Sequence, residues 1–395
     1  MEHLLFWLTG IERVWARGGG GGSHGGGSFS GGGHSIGTGS SGSGSSGNGS
    51  SVAIFIFILL IYLLIRLFLA RQKKANYKAL LPEELADDPL AQRAAVVFYR
   101  FQEMWSNFRI ENLQGDITDA YYRRMNLELN VLYAMHRQDS VKNPKLLKVH
   151  IASSNMAEDG RFTATIRAVA EDTLINTLDG TVLYVDNDPF TEYWHFLNID
   201  GVWKLDLITQ ATEEAASVSP QIRQFAENNG FFFDPDFGWL MLPQKGAIFE
   251  VSDFKNSDIN NHVIGLYQEK IVEFYSFIPV SGKSEYLVAQ AVVPSQYRDI
   301  LVTRKGFWNR PPHGMVTRTL ESPDFNAKYS LFADPLDQYS AWRLLTPLFM
   351  EKITNLPFKI NIEVVDNFVY FYTQDPNVRY DQMLEILAWA FDAMK

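Results

Sequence analysis

Five histidines stand in the part of the chain that carries regular hydrophobic patterning: His136, His150, His195, His262 and His313. No two have the H-x-x-x-H spacing that sets two imidazoles on one helical face, so a zinc site is not expected. His195 alternates with Trp194 along an apolar stretch. Turned inward, it is placed to act as a general base or to polarise a ligand; turned outward, it is a hydrogen-bonded or solvated side chain. Asp186, Asp188, Glu192 and Asp206 are the carboxylates that could join it at one mouth. Asp186-Asn187-Asp188 lacks the glycine and terminal glutamate of a calcium loop. Gly21-Gly22-Ser23-His24-Gly25 has the G-x-S-x-G form, but neither the strand nor the helix that a nucleophile elbow needs. Walker A, dinucleotide-binding and kinase motifs are absent from the sequence. So is cysteine, which excludes disulfides, zinc thiolates and a cysteine nucleophile. No catalytic residue, cofactor or metal is expected.

The remaining chemistry is aromatic. Phe98, Phe101, Trp105, Tyr121, Tyr122, Trp194 and Trp203 either line an apolar cavity or fill a core, and both need the same residue types. Phe101, Trp105, Tyr122, Trp194, His195 and Trp203 form the candidate ligand pocket. Two helices and a sheet must position them. Asp88-Pro89 reads as an N-cap followed by proline at the first helical position. Leu90, Ala94, Val97, Phe98, Phe101, Trp105 and Phe108 then recur at three- and four-residue spacing, one wide apolar face. Thr118 or Asp119 starts a second helix, with Tyr122, Met125, Leu129, Leu132 and Met135 inward. From Leu146 the period becomes two. Leu146–Ser153, Arg161–Glu171, Thr181–Asp186, Thr191–Ile199 and Val202–Gln210 read as strands. Asp159-Gly160, Asp179-Gly180 and Asp200-Gly201 are their turns.

Upstream lies a different kind of sequence. Val52–Ala70 is apolar apart from Arg66, close to the roughly 20 residues a membrane-spanning helix needs. Arg66, Arg71, Lys73, Lys74 and Lys78 give residues 52–78 a charge of +5, and these are the expected lipid contacts. Positive residues favour the cytoplasmic side, so the N-terminus is expected outside and the C-terminal body inside a bacterial plasma membrane. Residues 1–17 form an interfacial amphipathic helix or a flexible leader; a cleaved signal peptide fits poorly. Residues 18–51 hold 17 of the 29 glycines and much serine, too little apolar surface to oppose chain entropy. The whole chain carries −10 and residues 1–51 balance to zero, which leaves −15 for residues 79–395. That acidic body argues against nucleic acid as a partner.

Residues 71–84 read as a basic linker, 85–212 as a first domain, 213–236 as a polar connection and 237–395 as a second domain. In the second, Trp239–Leu242 and Ala247–Val251 are expected to form a hairpin around Pro243-Gln-Lys-Gly246. Val263–Tyr267, Ile271–Ile278, Glu285–Val293, Ile300–Thr303 and Met315–Leu320 also read as strands. Leu336–Leu356 is amphipathic, with Trp342, Leu345, Leu348, Phe349 and Ile353 on its apolar side and Pro347 in a first turn or at a kink. Lys359–Val365 and Phe368–Thr373 form a hairpin around Asp366-Asn367, and Tyr380–Met394 a closing helix.

Phe101-Gln-Glu-Met-Trp-Ser, the stretch Leu113 to Tyr122, Phe190-Thr-Glu-Tyr-Trp-His-Phe, Gly201-Val-Trp-Lys-Leu and Gln210 together resemble a known domain. It is the C-terminal domain of the mitochondrial import-motor anchor, subunit forty-four of the inner-membrane translocase. The resemblance covers roughly 85–212. It implies a cone-like fold of helices on an antiparallel sheet, similar to nuclear transport factor 2, with an apolar pocket. It also implies membrane attachment through acidic lipids and contacts with proteins. The family's chaperone-binding N-terminal region has no counterpart here. Leu320-Glu-Ser-Pro-Asp-Phe-Asn326, Ala333-Asp-Pro and Leu344-Leu-Thr-Pro-Leu-Phe-Met-Glu-Lys352 resemble a bacterial family of unknown function, over roughly 237–375.

The sequence thus predicts an α+β chain with one membrane span and two folded domains. The expected role is a non-enzymatic binding or scaffold protein that contacts anionic lipid and a protein partner. The alternative is a tethered enzyme of the nuclear transport factor 2 type, an isomerase or dehydratase acting on a small apolar ligand.

Overall fold

The computed structural model describes residues 77–151, 160–209, 220–233, 240–241, 246–251, 259–277, 285–293, 297–306, 311–312, 314–337 and 339–395. The expected leader, glycine-rich stretch and apolar run 52–70, with Arg66, Arg71, Lys73 and Lys74, fall outside these residues. Lys78 is described and exposed. Among the described residues, no helix is long and apolar enough to cross a membrane.

The architecture is α+β, with two antiparallel sheets inside one compact unit that includes Leu80–Lys395. Helix α1 (Pro89–Ser106) starts where the Asp88 carboxylate accepts the amides of Leu90 and Ala91, both at 3.1 Å. Helix α2 (Asp119–Ala134) starts at Thr118, whose hydroxyl accepts from Tyr121 N. Tyr121, four residues before Met125, takes the inner face expected for Tyr122. The first sheet holds β1 (Arg137–Ile151), β2 (Arg161–Asn176), β3 (Val182–Asp186), β4 (Phe190–Ile199) and β5 (Val202–Thr209). Its order is β1-β2-β4-β5, with β3 on the far part of β2. Strand β1 begins well before Leu146 because it is bulged between Lys142 and Lys145, where Asn143 has a φ of 49°.

The second body adds α3 (Pro220–Asn229), β6 (Phe232–Phe233), α4 (Ala247–Val251), β7 (Ile259–Tyr267), β8 (Lys270–Phe277), β9 (Tyr286–Val292), β10 (Ile300–Arg304) and β11 (Val316–Arg318). There follow α5 (Pro323–Lys328), β12 (Tyr329–Ala333), α6 (Ser340–Leu344), α7 (Pro347–Thr354), β13 (Asn361–Val365), β14 (Phe368–Thr373) and α8 (Tyr380–Ala393). The nine strands run β11-β12-β10-β13-β14-β9-β8-β7-β6.

Ala247–Val251 is a helix, not the expected strand. The distant Glu363 carboxylate accepts Ala247 N at 2.6 Å and Ile248 N at 3.5 Å, so a residue 116 positions away supplies the cap. The amphipathic stretch from Leu336 breaks into α6 and α7. Leu345 leaves helical geometry (φ −90°, ψ 57°), Thr346 caps and Pro347 occupies the first turn. The break shifts the phase. Leu344, Leu345 and Phe349 are buried, whereas Trp342 and Leu348, expected on the apolar face, are exposed.

The faces of the nine-stranded sheet differ. One carries Phe274, Val302, Ile362 and Phe371, covered by Phe349 and Ile353 of α7 and Met383 and Leu387 of α8. The other carries Tyr275, Tyr370 and Tyr372, which belong to one continuous cluster with Phe101, Trp105 and Trp194 of the first body. Each such buried side chain contributes about 1.5–3 kcal/mol. Asn367 Nδ2 donates to Ala134 O and an Arg137 guanidinium N–H to Leu240 O, tying the first body to the second.

Candidate functional site

The spacing of α1 places Phe98, Phe101 and Trp105 on one side, and the alternation of β4 turns Trp194 to meet them. The Phe101 ring centroid lies 6.4 Å from that of Trp105, 6.3 Å from Tyr121 and 5.3 Å from Trp194. All four rings are buried. The indoles have polar partners: Trp105 Nε1 donates to Asp139 Oδ2 at 2.8 Å and Trp194 Nε1 to Glu192 Oε2 at 2.9 Å. Tyr122 and Trp203 are half-buried at the border of the same cluster. Trp203 meets Phe162 edge-on at 5.0 Å, and its carbonyl accepts from Arg93.

His195 takes the other face of the sheet. Along β4 the buried side chains are Phe190, Glu192, Trp194 and Phe196, and His195 lies between them in the alternation. Its ring nitrogens lie 3.0 Å from Thr163 Oγ1 and 2.8 Å from Thr209 Oγ1, on the two flanking strands. The structure therefore brings Phe101, Trp105 and Trp194 together and leaves His195 behind them. Asp206 accepts from the Thr118 hydroxyl at 2.8 Å, and Asp186 accepts from Asp188 N. Among the described residues no group of three or more His, Asp or Glu side chains is arranged to hold a metal.

An open groove of about 590 Å³ lies in the second body. Phe225 and Ile222 of α3, Leu287 of β9, Val378 and Tyr380 form its apolar part. Glu285, Asp375, Asp381 and Arg379 stand around it, three carboxylates to one cation. Phe225 packs edge-on against Phe274 and Tyr380, at 5.0 and 5.4 Å. The Tyr380 hydroxyl donates to Asn261 O at 2.8 Å. Burial, then the charge of Glu285, pushes that hydroxyl far above the ordinary tyrosine value. Asn261 sits in a bulge of β7 with φ +57° and also lines the groove. Bulges re-aim side chains and are frequent beside binding sites.

A second polar feature crosses the sheet without reaching solvent. Glu273 pairs across strands with Gln290, Gln290 with Tyr370 and Tyr370 with Glu363, so four polar side chains form one row on one face. All four are buried. Gln290 donates to Glu273, Tyr275 OH donates to Gln290 at 2.8 Å, and His262 meets Glu273 from β7. Burial, then Glu363 and Glu273, raises Tyr370 well above its ordinary value. Burial also lowers Arg137, beside Tyr370, to about 10. Sequence reasoning missed this row. Its signal was a lone polar residue inside each apolar strand, as in Val272-Glu-Phe274, Ala289-Gln-Ala291 and Ile362-Glu-Val364. The groove left no such signal, since the segment Gln374–Val378 has no periodicity.

These residues define an α+β protein with an open, partly apolar groove. No family model and no curated protein matches the chain. Among solved structures, it is similar to the mycobacterial trehalose monomycolate transport factor A, TtfA, with 13% identity and a TM-score of 0.35, over 44% of this chain and 92% of that one. It is also similar to the intermembrane space region of the chloroplast protein ARC6, with 15% identity and a TM-score of 0.26, over 30% of this chain and 95% of that one. Both similarities are distant and carry no functional argument.

Proposed function

We propose that the chain is a membrane-anchored, non-enzymatic binding protein. Val52–Ala70 crosses a bacterial plasma membrane once, with the N-terminus outside and the body from Leu80 in the cytoplasm. Arg66, Arg71, Lys73, Lys74 and Lys78 hold anionic headgroups, at about 1 kcal/mol each. The first sheet and its two helices form the cone-like domain that the import-anchor resemblance implies. The groove beside Phe225 takes an extended segment of a protein partner. An apolar side chain of that segment packs on Phe225 and Tyr380, and a Lys or Arg meets Glu285 and Asp381. Nucleic acid is no partner of a body carrying −15.

The observation that carries this reading is the joining, in one chain, of an apolar run with a basic flank to a folded body that opens a groove. Crosslinking in native membranes through a photoreactive residue at Leu287, followed by pull-down, tests the groove. A protein captured at Leu287 and lost on mixing in a Lys-rich competitor peptide supports the reading; no adduct counts against it. Because the chain has no cysteine, single cysteines at Ser40 and Glu227 test topology. Labelling of Glu227→Cys from outside intact cells would reverse the orientation.

A further inference from the structure

The segment that runs into α6 and on to the start of α7 carries an unusual surface. Leu336, Tyr339, Trp342 and Leu348 are 70, 69, 51 and 62% exposed, four large apolar side chains within thirteen residues. Single apolar residues on a surface are ordinary, but several large ones in one short segment, two of them (Leu336 and Tyr339) lining the same cavity, mark a candidate interaction site. Leucine with tryptophan and tyrosine is the mixture found where side chains meet the boundary of a bilayer, because the rings are apolar with one polar end.

Beside these side chains is a cavity of about 360 Å³, lined by Tyr297, Arg298, Leu336, Asp337, Tyr339, Ser340 and Arg343. It holds two guanidinium groups in a body that is otherwise strongly acidic. Asp337 is the lining carboxylate, and its oxygens are turned to the backbone. Ser340 N donates to Oδ1 at 2.8 Å and Ala341 N to Oδ2 at 3.1 Å. The N-terminus of α6 is thus already occupied by its own side chain. Arg298 has a loose ion pair with Asp334 at 3.6 Å and remains half-exposed. Its amide donates to Ser340 Oγ at 3.0 Å, which fixes the two sides of the cavity to one another. Arg343 is exposed and makes no ion pair among the described residues.

We infer that this surface docks on a phospholipid bilayer: Arg298 and Arg343 hold a lipid phosphate in the cavity while Leu336, Tyr339, Trp342 and Leu348 enter the headgroup region. Guanidinium groups pair with phosphate oxygens through charge-assisted hydrogen bonds. A phosphate on the arginines and acyl chains against the exposed apolar rim require both parts of the surface, as no soluble anion does. The inference rests on the reading that the body works at a membrane, and it adds a second lipid contact remote in sequence from the basic flank of the span.

The cysteine-free full chain provides the test. Single cysteines at Leu348, at the exposed turn residue Leu178 and at Ile58 within the apolar run carry an environment-sensitive dye. The protein is reconstituted in phosphatidylcholine vesicles containing a nitroxide-labelled lipid. Quenching at 348 but not at 178, lost when Arg298→Gln and Arg343→Gln are combined, supports the docking. Quenching at 58 with none at 348 overturns the docking and leaves the span standing. No quenching at 58 with quenching at 348 overturns the span and supports the docking. A dye at 348 that shifts to the blue without lipid quenching reports burial against protein, and overturns the lipid assignment.

Discussion

His262 Nε2 lies 3.0 Å from Glu273 Oε1, and both side chains are wholly excluded from solvent. The pair stands at one end of the polar row, and Gln290 completes the shell of the carboxylate. Removing one member of such a pair takes a close polar partner from the other in a wholly buried site. Glu273→Ala is expected to destabilise the body by about 3–5 kcal/mol, with Glu273→Gln closer to the parent. Urea unfolding followed by circular dichroism measures both, and equal midpoints for parent and Glu273→Ala would refute the assignment.

Buried tyrosines set the alkaline limit. Tyr370, Tyr372 and Tyr380 all have hydroxyls raised above the ordinary value of 10.0, with burial the leading cause. Below that value both the folded and unfolded chains are protonated, and the stabilisation is complete. Above it the unfolded chain loses its protons first, so stability falls as pH rises. Arg137 acts in the opposite sense, because its folded value of about 10 lies below the ordinary arginine value. The raised tyrosines outnumber the one lowered arginine, so the net effect is a loss of stability as pH rises above the ordinary tyrosine value. The share of phenolate absorbance that comes from Tyr370, Tyr372 and Tyr380 is expected to rise together with loss of the fold rather than before it.

Gly265 on β7 lies under the Phe231 ring so closely that a methyl group there would overlap the ring atoms. Phe231 in turn stacks on Phe274. Gly265→Ala is expected to cost about 1–3 kcal/mol through displacement of that ring. A thermal midpoint unchanged from the parent would show that Phe231 is not seated there.

Charge reversal at the groove separates binding from folding. Glu285 and Asp381 are exposed, so Glu285→Lys combined with Asp381→Lys is expected to leave stability within about 1 kcal/mol of the parent. The same variant is expected to lose the partner crosslinked at Leu287. Retained crosslinking would remove the charge argument for the groove.

Much of the fold was legible because its strands and helices keep strict periods. The strands of the first sheet and the hairpin around Asp366-Asn367 appear close to where alternation put them, except that β1 begins at Arg137 rather than Leu146 and β2 runs on to Asn176 rather than ending at Glu171. What was not legible depended on distant residues. No local signal says that Glu363 will cap a helix at Ala247, or that Leu345 will break a helix and turn Trp342 outward. Strand β12 follows directly on α5 at Tyr329, with no turn residue to mark the change. The aromatic cluster was foreseeable as a set of residue types. Whether it was core or cavity depended on how closely Phe101, Trp105, Tyr121 and Trp194 approach, which spacing alone does not give. The orientation of His195 depended on which parity of β4 faced inward.

The shared aromatic cluster bears on the order of synthesis. Phe101, Trp105 and Trp194 emerge early from the ribosome, while Tyr370 of the same cluster follows Trp194 by 176 residues (370 − 194). The first sheet can assemble its strands during translation, but its share of the joint core stays uncovered until Tyr370 and Tyr372 have been made. A nascent chain stalled before Phe368 would display that surface, so the first body depends on synthesis continuing past β14, or on a chaperone that covers the surface meanwhile, in a way that two independent beads on a string would not.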